Sequence, residues 1–484
     1  METFRQKLLY NIMLKRSIKS WSAVTVAATI GTLCSYNQYR KYVASSVVHA
    51  NPNDDTGWFS SLLSKRDSYP NPSSSDLNVT AILRRQEFTK KFGQDKFDPI
   101  SWFETNHYSA NNPIEDRHCE CRFNLSDSFF FGIFDGHSGW HCSESLRLRL
   151  PLYLSLAFGS NEERRKFLSK ELSPNKMMEF LGNPDDDCPT FNFPDNFPEK
   201  QKRLKSGSRF FAEKACDMVP RLNISDTLKY TFMSLDRDIT REAIPDGKCN
   251  EPIWTGLSGA VVVGAYIKGN DLYIANTGDC RAVIGMRSAS GKWFDIPMSE
   301  DHTVNNVHEV KRLKEEHPQE KDTVVFNGRL LGQLQPLRSF GDVAYKWTKD
   351  LHKEVLDILY GRPVVAKHIY HTPPYLTAQP DVSHKKIDKD DRFIILATDG
   401  LWEVVSNEKA VNIVGKYLDD LRHGIKPEEN AATKLIRYAL GQGNKQKVED
   451  MLQLPLHCKR DYHDDITVTV IYLDKDYRQL KSKL

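Results

Sequence analysis

Phe129-Phe130-Phe131-Gly132-Ile133-Phe134 runs directly into Asp135-Gly136-His137. Such a run is short, has no polar alternation and ends on turn chemistry, which predicts a strand buried on both faces. Four further runs have the same character. Residues 260–267 and 272–276 flank Lys268-Gly269-Asn270-Asp271, which is a hairpin signal. Residues 393–397 end at Asp399-Gly400, and residues 466–472 follow Asp464-Asp465. Helix-like stretches lie between them, for example 143–157 and 407–421. Strands in hairpins with helices between them predict sheets covered by helices. Residues 79–92, preceded by Asp76 and Asn78, read as a further short helix with an N-cap.

The segments 158–215, 304–336, 346–374 and 423–463 are polar and irregular, and read as insertions in one catalytic domain over 76–475. Residues 49–75 are rich in Pro, Asn, Ser and Asp and read as a linker. The net charge is +3, from 67 basic and 64 acidic residues, so there is no nucleic-acid footprint and no nucleic-acid partner is expected. The first 48 residues hold seven basic side chains and one acid, Glu2. That composition reads as a mitochondrial transit segment. Residues 20–39 carry no charge and have the length of a span, although Ser, Thr, Asn and Gln dilute them. A secretory h-region, a weak membrane anchor and a plain basic tail therefore stay open beside import. Nine scattered cysteines suit a reducing compartment. His118-Cys119-Glu120-Cys121, with His141-Cys142, is a weak zinc signal because no second spaced pair accompanies it.

Carboxylates stand where the apolar strands end: Glu115 and Asp116, Asp135, Asp399 and Asp464. A single Asp-Gly after a strand is usually a turn. Several acids brought together either face solvent or hold divalent cations. With no Cys or His set among them, the donors favour Mg²⁺ or Mn²⁺ over zinc.

The segments IEDR, FGIFDGHSG, SGAVVVGAYI, NTGDCRAVIG, RSFGDVAYK, LTAQPDV, ATDGLWEVV and DDITVTVIY stand in order over residues 114–472. In this the chain resembles the type 2C metal-dependent protein phosphatases. The resemblance implies an α+β fold, a four-layer αββα sandwich of two central antiparallel sheets flanked by helices. It implies two Mg²⁺ or Mn²⁺ ions in a cleft at one edge of the sheets. Asp135 would bridge them, Glu115 and the Gly136 carbonyl would complete one ion, and Asp399 and Asp464 the other. Asp116 would support the site through water, and Asp279 and Glu403 match positions associated with a third, weaker metal. His137 resembles the general acid for the leaving serine oxygen. The mechanism implied is direct attack by a hydroxide bridging the ions.

Further segments resemble the branch of the family that acts on pyruvate dehydrogenase: YPNPSSSDLNVTAILRRQE, NNPIEDR, RLLGQLQPLRSFGDVAYKW, HTPPYLTAQPDV, NAATKLIRYAL and MLQLPLHCKRDYHDDITV. What this implies is removal of phosphate from serines of pyruvate dehydrogenase in the mitochondrial matrix, reactivating it. The enzyme would dock on the lipoyl domain of the complex's core acyltransferase, in some members with Ca²⁺ at the docking interface, and a regulatory subunit is a further partner the resemblance admits. Two departures stand out. Asn111 occupies the place of the phosphate-gripping arginine of the wider family, which this branch also lacks, and Val261 stands where Thr is usual. Arg338 and Arg117 are the expected candidates for a replacement phosphate contact. The rival readings are a phosphatase of this superfamily with another substrate, secreted or membrane-anchored, and a pseudophosphatase scaffold. The second rival would be expected to lose a metal carboxylate, and none of the four is lost.

Overall fold

Residues 78–92, 100–182, 198–219, 222–245 and 251–473 are described in a computed structural model. The transit segment, the uncharged stretch 20–39 and the linker expected from the sequence lie outside them. Among the described residues no helix is long and apolar enough to cross a membrane. The strands in chain order are β1 (Phe88–Lys91), β2 (Trp102–Tyr108), β3 (Arg117–Phe123), β4 (Ser128–His137), β5 (Met178–Phe180), β6 (Gly259–Lys268), β7 (Asp271–Thr277), β8 (Arg281–Arg287), β9 (Trp293–Pro297), β10 (Val325–Phe326), β11 (Arg329–Leu330), β12 (Phe340–Gly341), β13 (Asp381–Lys386), β14 (Asp391–Ala397) and β15 (Ile466–Tyr472).

These strands make two large antiparallel sheets, ordered β1-β2-β15-β14-β8-β9 and β13-β7-β6-β4-β3-β5, with β12 paired to β6. Each of the five apolar runs became a strand. The hairpin joins β6 to β7 with Lys268 opposite Asp271, and Gly269 at φ +56 takes the first turn position, as a type II′ turn requires.

The two faces of β4 explain the layering. Phe129, Phe131 and Ile133 point one way and pack with Val261, Val263, Ile284, Ile394, Leu396 and Ile471, so this core lies between the sheets. Phe130 and Phe134 point the other way, onto a second core with Leu146, Leu150 and Leu154 of helix α1 (His141–Phe158). Helices α2 (Pro198–Met218) and α3 (Ile224–Glu242) extend that outer layer, through Phe211 and Phe232 among others. The opposite sheet turns Phe393, Ile395, Val468 and Val470 outward onto α4 (Asn407–Arg422) and α5 (Ala431–Gly441), by way of Val411, Val414, Leu435 and Ile436. The result is the expected four layers: helix, sheet, sheet, helix.

Each fully buried Phe or Ile contributes about 1.5–3 kcal/mol over leaving it exposed. The row 129, 131, 133 therefore fixes the register of β4, and a one-residue slip would turn all of it away from the partner sheet.

Two local expectations need correcting. The segment 79–92 is helical only over Val79–Leu83, capped by Asn78 accepting from the Ala81 N–H at 3.0 Å. The rest includes edge strand β1, paired to β2, because Phe88 and Phe92 pack on the core between the sheets. The four polar segments are also far from irregular. They hold the helix Asn161–Leu168, most of α2, the helix Val307–Glu316, and further on α5 and the helix Lys445–Gln453.

Candidate active site

Asp135 extends the inward row of β4, two residues beyond Ile133. The inter-sheet core thus stops being apolar at that point, and a carboxylate takes the next place. Directly opposite it on β6 is Val261, itself buried in the core between the sheets. This puts an aliphatic wall beside Asp135 where the wider family would offer a hydroxyl.

The other sheet delivers its acids at the ends of β14 and β15. The two strand ends are stitched by Thr467 N–H donating to Thr398 Oγ1 at 3.0 Å and Thr398 N–H donating to the Thr467 carbonyl at 3.2 Å. Asp399 then opens a single helical turn, and Asp464 and Asp465 precede β15. Thr467 Oγ1 also donates to Asp116 Oδ2 at 2.7 Å, which ties the two sheets together beside the cluster.

The electrostatics place these acids within reach of each other. Burial, then the charges of Asp399, Asp116, Asp464 and Asp279, hold the Asp135 carboxyl well above the usual range. Burial, then Asp279, Asp464 and Glu403, does the same for Asp399, which shares a hydrogen bond with Asp135. Burial, then Asp465, raises Asp116. Glu115 is pushed up to about 7 by burial and then by Asp465. Asp464 rises to about 6 by burial, against the pull of Arg460, and Asp279 to about 7, again chiefly by burial. A set of oxygen donors that repel one another is chemically matched to a hard divalent cation. Among the described residues, no three His, Cys, Asp or Glu side chains stand ready to enclose an ion as placed.

The loop bearing Glu115 is held by residues the sequence reading passed over. The buried Asp465 carboxylate accepts from Ala110 N–H (2.6 Å), Asn111 N–H (2.9 Å), Asn111 Nδ2 (3.1 Å) and Glu115 N–H (2.7 Å). Ser143 Oγ, in the first turn of α1, donates to the Glu115 carbonyl at 2.5 Å. Gly136 runs so close beneath that a Cβ there would lie 2.4 Å from the Glu115 carbonyl oxygen. The Asn111 amide is therefore bound to Asp465, and an arginine in its place would give up that contact.

His137 Nε2 lies 2.8 Å from Asp342 Oδ2, and Ser339 Oγ donates to the same oxygen at 2.6 Å. Burial alone would lower the His137 pKa, but the Asp342 charge and hydrogen bond outweigh it and lift it to about 9. At neutral pH the ring carries its proton. A Cβ at Gly259 would fall 2.1 Å from His137 Nε2, so the glycine of Ser258-Gly259 is what lets this pair form. Asp342 lies inside the segment RSFGD, where the sequence reading had singled out Arg338.

Arg338 and Arg117, offered by the sequence as phosphate contacts, are committed to the protein. Arg338 pairs with Glu309 through Nε (3.0 Å) and Nη2 (2.6 Å), and its Nη1 donates to Asp381 (2.8 Å) and the Gln379 carbonyl (2.9 Å). Arg117 donates to Glu144 Oε2 at 2.9 Å and to the carbonyls of Ile114 and Asp116. Both anchor loops, and both are buried. Glu403 is exposed and accepts from Gln335 Nε2 at 3.2 Å. Cys119, Cys121 and Cys142 are free and buried. Arg460, which the sequence reading did not pick out, forms an ion pair with Asp464 at 2.5 Å. The arginine side chain of that pair is 57% exposed and the aspartate side chain 22%.

Comparison with known proteins gives the family. The family model described as Protein phosphatase 2C matches residues 194–448. The human mitochondrial [pyruvate dehydrogenase [acetyl-transferring]]-phosphatase 2 is 34% identical over 449 residues, covering 82% of this chain and 83% of the relative. Human phosphatase 1 of the same name is 32% identical over 450 residues, 81% and 82% of the two chains. The Saccharomyces cerevisiae phosphatase 1 is 28% identical over 434 residues, 75% and 67%. A relative above 30% identity matched over four-fifths of its length fixes the assignment: this chain belongs to the protein phosphatase 2C family.

Proposed function

We propose that this chain is a mitochondrial protein-serine/threonine phosphatase that removes phosphate from pyruvate dehydrogenase and so restores its activity. One observation carries the reading. Buried carboxylates from both sheets, Asp135 and Asp399 foremost, meet at one edge of the sandwich in a chain one-third identical to human phosphatases named for that substrate.

The donor set fits two Mg²⁺ or Mn²⁺ ions. Asp135 would serve both, Glu115 and the Gly136 carbonyl one, Asp399 and Asp464 the other. Asp116 would act through water, and Asp279 and Glu403 would take a third ion. When bound, such ions offset charge on the phosphoryl oxygens and lower the pKa of water. The chain's own residues do the rest. Asp465 and Ser143 hold the Glu115 loop in place. Val261 and the core behind it keep water off one side of Asp135. His137, charged through its contact with Asp342, holds a proton for the leaving serine oxygen. Docking to a lipoyl domain, with or without Ca²⁺ or a regulatory subunit, would supply affinity that a small site lacks.

The test is release of phosphate from phosphorylated pyruvate dehydrogenase by the purified chain, with and without the core of the complex. Release that the core enhances and a chelator abolishes is the expected result. Turnover of other phosphoproteins with none on pyruvate dehydrogenase would instead indicate a phosphatase of this fold with a different substrate.

A further inference from the structure

Arg460 sits in the short turn Leu456–Asp461 and points its Nη2 at Asp464 Oδ2 from 2.5 Å. Its side chain is 57% exposed, against 22% for Asp464. We propose that Arg460 is the residue that grips the phosphate of the substrate, resting on Asp464 until a cation takes that carboxylate and then closing on the phosphoryl oxygens. The proposal rests on the phosphatase reading above.

Elimination among the neighbouring cations supports it. Arg117 and Arg338 are locked to buried carboxylates. Arg281, next to Cys280 and Asp279, is held by both oxygens of Asp301 and by Asn407 Oδ1. His137 is bound to Asp342, and the Asn111 amide to Asp465. Arg460 differs from all of these. Asp464 is the one partner seen for it among the described residues, the arginine side chain is exposed while the carboxylate is half-buried, and a divalent cation on Asp464 would displace it. A phosphate dianion then offers the guanidinium two parallel charge-assisted hydrogen bonds, which is the geometry arginine is shaped for.

The turn beneath is anchored through the neighbouring residue. Lys459, the preceding residue, donates to Tyr108 Oη at 2.8 Å and lies 4.6 Å above that ring. The turn is thereby fastened to β2 while the Arg460 side chain stays in solvent. His463 Nδ1 lies 2.8 Å from the Asp464 carbonyl and keeps the start of β15 in position.

The experiment is calorimetric titration of inorganic phosphate into Mn²⁺-saturated wild type, Arg460→Lys and Arg460→Met. The expected result is phosphate binding weakened about tenfold or more in Arg460→Met, with part of it kept in Arg460→Lys. A second titration, of Mn²⁺ alone, should show tighter binding to Arg460→Met, because the carboxylate no longer has a competing partner. Unchanged phosphate affinity in Arg460→Met would overturn the proposal. So would a parallel loss of Mn²⁺ affinity, which would make Arg460 a support of the metal site. If the wild type bound no phosphate at all, the Arg460 proposal would fall, while the phosphatase reading is decided separately by release of phosphate from phosphorylated pyruvate dehydrogenase.

Discussion

The carboxylate of Asp465 accepts four hydrogen bonds from the loop that carries Glu115, and none of its partners lies more than 3.1 Å away. An amide in its place keeps one acceptor oxygen and turns an NH₂ group toward N–H donors. Asp465→Asn should therefore cost about 2 kcal/mol of stability, from lost and unpaired hydrogen bonds, and lower activity through a displaced Glu115. Denaturant titration and turnover of the same preparation check both effects. An unchanged midpoint with full activity would show that the loop holds itself. The sequence singled out Asp464 of the doublet Asp464-Asp465 and offered no role for Asp465, because adjacent residues leave a strand end in different directions and only the fold shows what the second one holds. The same limit explains Arg338, an arginine in a family-like segment whose partner Glu309 lies 29 positions away in a helix of an insertion. Val261 became interpretable only when the register placed it opposite Asp135.

At the scale of elements, the strands were legible because burial on both faces leaves an unmistakable apolar run, and all five runs became strands. What failed was the edge. Residues 88–91 carry Phe88 between polar neighbours and pair on one side only, so no run announces them. Strand β2 hid a second feature. Glu104 lies in its middle, buried, where charged side chains are scarce. It accepts from Tyr417 Oη of α4 at 2.5 Å, Tyr472 Oη of β15 at 2.8 Å and the Ala431 N–H at the start of α5 at 2.9 Å. Burial raises its pKa against those hydrogen bonds. One side chain thus joins two strands and two helices of the outer layer. Glu104→Ala takes this shared partner from three buried donors, and at roughly 1–3 kcal/mol for each unsatisfied group the loss should be about 3 kcal/mol or more. Equilibrium unfolding in urea measures it. A loss below 1 kcal/mol would mean that water enters and replaces the carboxylate.

At the scale of the whole described body, the candidate site is the place where two sheets present like charges to each other. The sequence could list these acids but not make them converge. Their separations, from Glu115 to Asp464, are too long for spacing to prove contact, and the resemblance to known phosphatases supplied what periodicity could not. The convergence has a consequence for stability. In the cation-free protein the acids are buried together and disfavour each other's charge, so ions bound only by the folded state must stabilise it. For each site at ten times its dissociation constant that contribution is about 1.4 kcal/mol. Adding EDTA to Mn²⁺-saturated protein should therefore lower the thermal midpoint by a few degrees at most, in a chain that stays folded, while activity vanishes. The Asp135→Asn variant removes a carboxylate expected to serve both ions. It should be nearly inactive, and its midpoint should respond much less to EDTA. Because the substitution also relieves repulsion, the cation-free variant should melt no lower than the cation-free wild type. The comparison of four melting curves, two proteins each with and without EDTA, decides the matter. If the wild type melts identically with and without Mn²⁺, the acids at the sheet edge do not hold the ions, and the assignment of Glu115, Asp135, Asp399 and Asp464 fails.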